Sequence, residues 1–512
     1  MTNSPYSCAL GAQSLRRENP VHSEGAAFSR QSCPVSSPRW PLLLIVAAAA
    51  LLVACGGGDS AADDAAAACR SQVNDTPDKL LGCVTLDGVR THLNALSAVA
   101  QNNGGDRAIG TPGYTASVAY VQQALERVGY RVTLQPVSYR TFKSLAPSVL
   151  AQTTPFVAAI ESRVFDFSGN GSVTAPVSAP VVATGCKLAD YAGFQPGHIA
   201  LLQRGTCDYL QKADTAVKAG AVGVVVYNNQ ADGLVIGDLS SLFTPEVSVV
   251  GVSQAAGEQL AARIPTGLVL ALTTRTQRPW ALTHNVLTDL PNPTATAITL
   301  LGAHLDSVSG TAGMNDNGSG TAALLETALQ MAKVRPLNTL RFAFWGGEEI
   351  GLLGSNQYVQ SLSAAQQQEI DLYLNFDMVA SPNPVYYFGA DTGVAPAGGA
   401  TRKDSTPMIQ EVITAVYRQR GVPFKRGIDP GLSDHVAFGN AGIPYGWLFT
   451  GADAIKTAEE VAVWGGKAGM PMDPCYHLTC DNLGNINTVA LALNADAIAY
   501  AALHFAMNRL PR

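Results

Sequence analysis

Apolar residues change their spacing three times along this chain. From residue 87 they fall three and four apart, at Val89, Leu93, Leu96 and Val99, which predicts an amphipathic helix. A Gly-rich loop follows over 102–114, then a second helix over 117–128 on Val118, Val121, Leu125 and Val128. Residues 130–137 alternate apolar and polar as a half-buried strand does. Between 147 and 274 the text is rich in Val, Gly and Ala, with short strand-like runs at 199–202 and 222–227 and a helix at 209–219 between them. From residue 284 onward, strand, helix, strand alternation takes over. Apolar runs at 297–302, 339–345 and 372–376 are separated by helical segments at 320–333 and 354–362, and helices at 407–420 and 488–507 follow. That order predicts an α/β fold: a mostly parallel, doubly wound sheet with helices on both faces, and a small β-rich second unit.

At 512 residues the chain is too long for one ordinary core, so two globular units and a leader are expected. The low share of charged residues, 14 %, and the net charge of −6 argue against a nucleic-acid partner. Arg30 and Arg39 precede an apolar run over 41–54, the length of a signal sequence core and short for a membrane span. The run ends Leu52-Val53-Ala54-Cys55 and resembles a bacterial lipobox, with Cys55 as the lipid-bearing mature terminus; an ordinary signal peptide is the alternative. Residues 1–54 are therefore read as leader and 55–86 as tether, with export to the cell envelope or beyond and membrane contact only through the lipid on Cys55. Setting aside Cys8, Cys33 and Cys55 leaves Cys69, Cys83, Cys186, Cys207, Cys475 and Cys480, three local pairs in order along the chain. Export favours disulfides among them, in any of about fifteen connectivities. Cys475 and Cys480 could also form half of a zinc-thiolate site, but no second Cys/His pair of suitable spacing accompanies them.

Chemistry-bearing residues stand just beyond the three apolar runs of the last section, where open α/β sheets place their sites. His304 and Asp306 follow the first run, two apart and so on one side of an extended chain; Asp306 is placed to hold the second ring nitrogen of His304. Asp316 lies in a Gly-rich loop before a helix, where alone it would pass for a cap. Glu348 and Glu349 follow the second run, and as neighbours their side chains diverge, one toward a metal and the other toward a substrate water. Asp377 closes the third run, where an unpaired carboxylate would be costly and a cation partner is favoured. Tyr476 and His477 sit inside the short Cys475–Cys480 loop. Ser433-Asp434-His435 invites a triad reading, but three adjacent residues cannot adopt that geometry, and a structural or pocket-lining role is expected for His435.

Six motifs in order, Gly302-Ala303-His304-Leu305-Asp306-Ser307, Asn315-Asp316-Asn317-Gly318-Ser319-Gly320, Trp345-Gly346-Gly347-Glu348-Glu349, Leu374-Asn375-Phe376-Asp377-Met378, Ser433-Asp434-His435 and Cys475-Tyr476-His477, resemble the co-catalytic zinc aminopeptidases of clan MH, of the secreted bacterial leucyl and vacuolar aminopeptidase Y types. The stretch from Gly197-His198-Ile199-Ala200 through Arg204-Gly205-Thr206-Cys207 and Lys212 to Ala219-Gly220-Ala221-Val222-Gly223 looks like a protease-associated domain, a module that carries no catalytic residues. The resemblance implies a peptidase unit over 87–146 and 275–512 with the module inserted at 147–274. It implies two Zn²⁺, one on His304 and Asp377, the other on Glu349 and His477, bridged by Asp316. It implies further that peptides are the substrates, that a metal-bridged water attacks with Glu348 as general base, and that Tyr476 donates to the oxyanion. Two departures stand out: Leu432 occupies a position where the bacterial enzymes carry Arg, and Ala492 replaces an acidic residue of the family's calcium site. A carboxypeptidase of the same clan and an inactive, surface-tethered peptide-binding protein are the alternatives. Side-chain preference and oligomeric state are not legible.

Overall fold

Strands whose residues are apolar on both sides belong in the middle of a sheet covered on both faces. The computed structural model describes residues 67–69, 71–392, 405–428 and 431–508; the leader over 1–54, Cys55 and the first part of the tether lie outside them. Strand Ile298–His304 is central, parallel to Thr339–Trp345 on one side and Ile370–Phe376 on the other, and Tyr445–Phe449 continues the parallel set. Antiparallel strands flank this core: Trp280–Leu290 and Val132–Arg140 at one edge, Tyr387–Asp391 at the other, where the short strand Lys425–Arg426 closes the eight-stranded sheet.

The two faces bury alternate residues of the same strands. Leu301, Ala303, Phe342, Phe344, Leu372, Leu374 and Phe376 face the larger core, against helices Leu86–Asn102, Pro112–Arg127, Gly320–Met331 and Thr488–Met507. Leu300, Ala343, Trp345 and Tyr373 face the other, against Tyr358, Val359 and Phe438 of helices Leu353–Ser361 and His435–Asn440. Helix Thr488–Met507 is long and apolar enough to cross a bilayer, but its apolar residues are core residues of this sheet. The expected helix over 407–420 is two, Thr406–Ile413 and Ala415–Gln419. The break falls at Thr414, whose hydroxyl donates to the Gln410 carbonyl (2.6 Å), a back-bond that bends helices.

A second eight-stranded sheet is formed by strands between Lys143 and Gln277, in the order Ala158–Ile160, Lys143–Thr154, Val269–Gln277, Gly171–Ser178, Ile199–Gln203, Gly223–Tyr227, Ser248–Val252, Arg163–Val164. It has its own cores around Val224, Val226 and Leu202 and around Leu201, Val225 and Leu270. Among the described residues, three disulfides join Cys69 to Cys83, Cys186 to Cys207 and Cys475 to Cys480. The stretch read as tether does not all lie outside the fold. Helix Pro77–Leu81 packs its fully buried Leu80 into the main core, and the Cys69–Cys83 bridge ties it down. One apolar side chain and one cysteine pair are too short a signal for periodicity to register.

Gly302, mid-strand, has no room for a side chain: a Cβ there would overlap Trp345 Nε1 and Tyr373 Oη. Gly302→Ala should therefore cost about 1–3 kcal/mol by overpacking, read as a lowered urea midpoint at unchanged m-value. An unchanged midpoint would contradict the packing described.

Candidate metal centre

The three parallel strands deliver the residues at their carboxyl ends to one spot. His304 is the last residue of its strand, Asp377 directly follows Phe376, and Glu348 and Glu349 follow Trp345 across a Gly-Gly turn. Asp316 enters from the turn Met314–Ser319, which leads into helix Gly320–Met331, and His477 from the Cys475–Cys480 loop.

His304 Nδ1 lies 3.2 Å from the Asp306 carbonyl oxygen, to which it donates. Its Nε2, the nitrogen left for a metal once the ring is neutral, lies 3.2 Å from Asp377 Oδ1, 3.2 Å from Asp316 Oδ1 and 4.0 Å from Glu348 Oε2. His477 Nε2 stands 3.1 Å from Asp316 Oδ2 and 3.1 Å from Glu349 Oε2. Asp316 thus turns one oxygen to each histidine. Donor atoms of His304, Asp316 and Glu349 lie within 4.8 Å of one another, as do those of His304, Glu348 and Asp377. His304, Asp316, Glu348, Glu349, Asp377 and His477 therefore meet in one cluster.

Asp306 is also present, but not in the expected pose. Its carboxylate is 3.7 Å from His304 Nδ1, beyond hydrogen-bond reach, and accepts instead from the backbone N–H groups of Glu348 (3.3 Å) and Glu349 (3.4 Å). Two aligned amides offer a buried carboxylate more than one ring nitrogen does, so Asp306 orients the glutamate pair while its carbonyl sets the His304 tautomer. Tyr476 stacks on the His477 ring at 3.8 Å between centroids. His435 is buried against the Tyr445 ring.

The electrostatics are those of negative charge withdrawn from water. Burial, then the neighbouring Glu349 and Asp377 carboxylates, push the Glu348 pKa well above its ordinary value. Burial and Asp316 raise Glu349 to about 8. Burial works against protonation of both histidines. The carboxylates outweigh it, lifting His304 well above the usual range and His477 to about 10. Burial, then Asp316 and Glu349, raise the Tyr476 phenol, which stays a hydrogen-bond donor. Glu349 Oε1 is buried without a hydrogen-bond partner. Such an oxygen, beside two imidazoles and further carboxylates, fits a cation that would displace the imidazole protons, and the mixed His/carboxylate donor set suits zinc.

Further residues hold this cluster, and the first of them, Arg107, had no sequence signal. The Arg107 guanidinium is fully buried and donates to three carbonyls, of Leu305, of Ala312 (2.8 Å) and of Gly313 (2.6 Å), so it clamps both ends of the loop between His304 and Asp316. Ser433 donates to Asp377 Oδ2 (2.7 Å), leaving Oδ1 toward His304. Ser433 in turn accepts from Asn375 Nδ2 (2.8 Å), whose Oδ1 accepts from Tyr373 (2.7 Å), which accepts from Trp345 Nε1 (2.8 Å). From the loop before strand Ser248–Val252, Leu242 reaches the turn beyond Glu349: a Cβ on Gly351 would lie 3.5 Å from its Cδ1.

An α/β sheet that gathers histidines and carboxylates at adjacent strand ends is the architecture of a metallohydrolase. The chain belongs to peptidase family M28, whose pattern matches residues 285–502, and residues 173–260 match the PA domain. It is 38 % identical over 446 residues to an aminopeptidase of Pseudomonas aeruginosa, covering 83 % of this chain and 82 % of that one. It is 37 % identical over 438 residues to the probable lipoprotein aminopeptidase LpqL of Mycobacterium tuberculosis, covering 83 % and 86 %. The solved aminopeptidase of Aneurinibacillus sp. strain AM-1 superposes with a TM-score of 0.62 at 27 % identity, over 84 % of this chain and 96 % of that one. The expected fold class and the expected zinc metallopeptidase chemistry hold.

Proposed function

We propose that the chain is an exported aminopeptidase with two zinc ions, which removes amino-terminal residues from peptides. The observation that carries this reading is the meeting of His304, Asp316, Glu349, Asp377 and His477 around a glutamate, Glu348, that has no other evident task. His304 and Asp377 would hold one ion, Glu349 and His477 the other, with Asp316 shared. Three carboxylates and two neutral imidazoles leave one positive charge for an attacking hydroxide to balance. Bound zinc supplies polarisation of the scissile carbonyl and lowers the pKa of the water that attacks it.

Glu348 accepts the water proton and returns it to the leaving amine as the C–N bond breaks and the C–O bond forms. Its carboxylate lies beside the cluster, with Oε2 4.0 Å from His304 Nε2, which places a proton acceptor next to the candidate ion positions. Asp306 fixes the backbone that carries it. The Tyr476 hydroxyl donates to the oxyanion. The aminopeptidase names of the relatives support cleavage at a free amino terminus. The peptidase unit is read as 87–146 with 275–512, and the inserted module as 147–274. The lipoprotein name of the mycobacterial relative supports a lipid on Cys55 and a place in the cell envelope.

Hydrolysis of leucine p-nitroanilide beside its N-acetyl counterpart, with zinc counted per chain, tests the reading. Two zincs and cleavage of the free amine alone are expected. Cleavage of the blocked compound alone would overturn the exopeptidase direction.

A further inference from the structure

The loop that carries His477 and the turn that carries Asp316 are bolted together by two carboxylates that touch no candidate ion. Asp473 and Asp481 flank the Cys475–Cys480 bridge, and each is 1 % exposed. Asp481 accepts the backbone N–H of Asn315 on one oxygen (2.8 Å) and that of Asp316 on the other (3.0 Å). Asp473 accepts from Asn315 Nδ2 on Oδ2 (2.6 Å) and from the Cys475 N–H on Oδ1 (2.8 Å). Asn485 Nδ2 joins the pair, donating to Asp473 (3.0 and 3.1 Å) and to Asp481 (3.0 Å).

A disulfide across five residues fixes the inside of its loop. It does not fix how the loop stands against a segment 160 residues earlier in the chain. The His477 contacts to Asp316 and Glu349, both 3.1 Å, require that second constraint. Among the described residues, the Asp473 and Asp481 side chains supply it, helped by one backbone bond from the Met314 N–H to the Asp481 carbonyl (3.4 Å). The Asp316 turn has a separate anchor on the sheet, since Asn317 Nδ2 donates to the Phe376 carbonyl (2.9 Å) and Asn317 Oδ1 accepts from the Met378 N–H (3.3 Å). His304 and Asp377 are held by strand ends and Ser433.

We infer that Asp473 and Asp481 are positioning residues that set the distance from His477 to Asp316 and so tune one ion position, that of Glu349 and His477, independently of the other. The inference rests on the two-zinc reading above. It is a statement about affinity, so it is tested without turnover.

Full-length protein is stripped with chelator and zinc is titrated back against a chromophoric chelator. Asp473→Asn and Asp481→Asn keep shape while removing an acceptor oxygen; Asn485→Ala loosens both carboxylates and serves if either aspartate variant fails to fold. One zinc is expected to bind as in the wild type and the other about 10–100-fold more weakly, the usual cost of losing an outer partner of a metal site. His477→Ala should weaken the same step, and adding Asp481→Asn to it should change that step little further. Equal weakening of both steps would mark a general structural role and overturn the inference, as would no weakening at all. A wild-type chain that takes up a single zinc overturns the two-ion reading itself, and this inference with it.

Discussion

Glu348→Gln is expected to lower kcat by about 10²–10⁴, the range for loss of a positioned general base, while zinc content and KM stay near wild type. The amide has the shape of the carboxylate and cannot take a proton. Glu348 Oε2 is 4.0 Å from His304 Nε2, farther than the other carboxylates about that ring, so its loss leaves the proposed coordinating atoms in place. Asp306 would still hold the turn through the backbone amides of residues 348 and 349. Steady-state kinetics with metal analysis on one preparation checks this. Unchanged cleavage would remove Glu348 from the chemistry; loss of zinc in parallel with activity would make it a ligand instead of a base.

Removal of zinc should abolish cleavage and also give the protein a distinctive pH dependence of stability. In the metal-free fold, burial raises Asp434 to about 7 and Asp481 to about 7, and Glu349 to about 8. A carboxyl whose folded pKa lies above its unfolded value binds more protons folded than unfolded between the two. Stability therefore falls as pH rises through that window. His477, lifted from 6.5 to about 10, acts in the same direction: its contribution is full below the unfolded value and is lost as pH rises toward 10. Asp316 is shifted downward, so its contribution is lost only in acid, below this window.

The chelated protein should thus melt at a lower temperature at about pH 8 than at about pH 5.5. Zinc needs Glu349 and His477 deprotonated, so its stabilisation should grow over that interval. At a thousandfold excess over Kd it is worth about 4 kcal/mol. Thermal melts with and without zinc at both pH values check this. A chelated protein that becomes more stable toward pH 8 would contradict the burial described for these carboxyls.

The parts of this molecule that were legible in its sequence share a physical property. Strands Ile298–His304, Thr339–Trp345 and Ile370–Phe376 are covered on both faces, so they read as largely apolar runs, and a His, Glu or Asp at the end of such a run is conspicuous. Disulfides between near neighbours were suggested by order alone, though spacing could not exclude other pairings. What was not legible depends on distant contacts. Arg107 meets its acceptors about 200 residues away, and Asp481 meets Asn315 after 166 residues, each from a loop with no periodicity. Asp306 is instructive because its nearest candidate partner in the sequence, His304, lost to backbone amides more than forty residues on. Local spacing could place that carboxylate at the site but not rank its competing donors.

Anomalous diffraction at the zinc edge, from crystals of the zinc-loaded protein, tests the central claim most directly. Two peaks within about 4 Å of each other are expected, a spacing that suits hydrolysis, one touching His304 and Asp377, the other Glu349 and His477, with an oxygen of Asp316 on each. A single peak, or zinc bound away from these five side chains, would contradict the account.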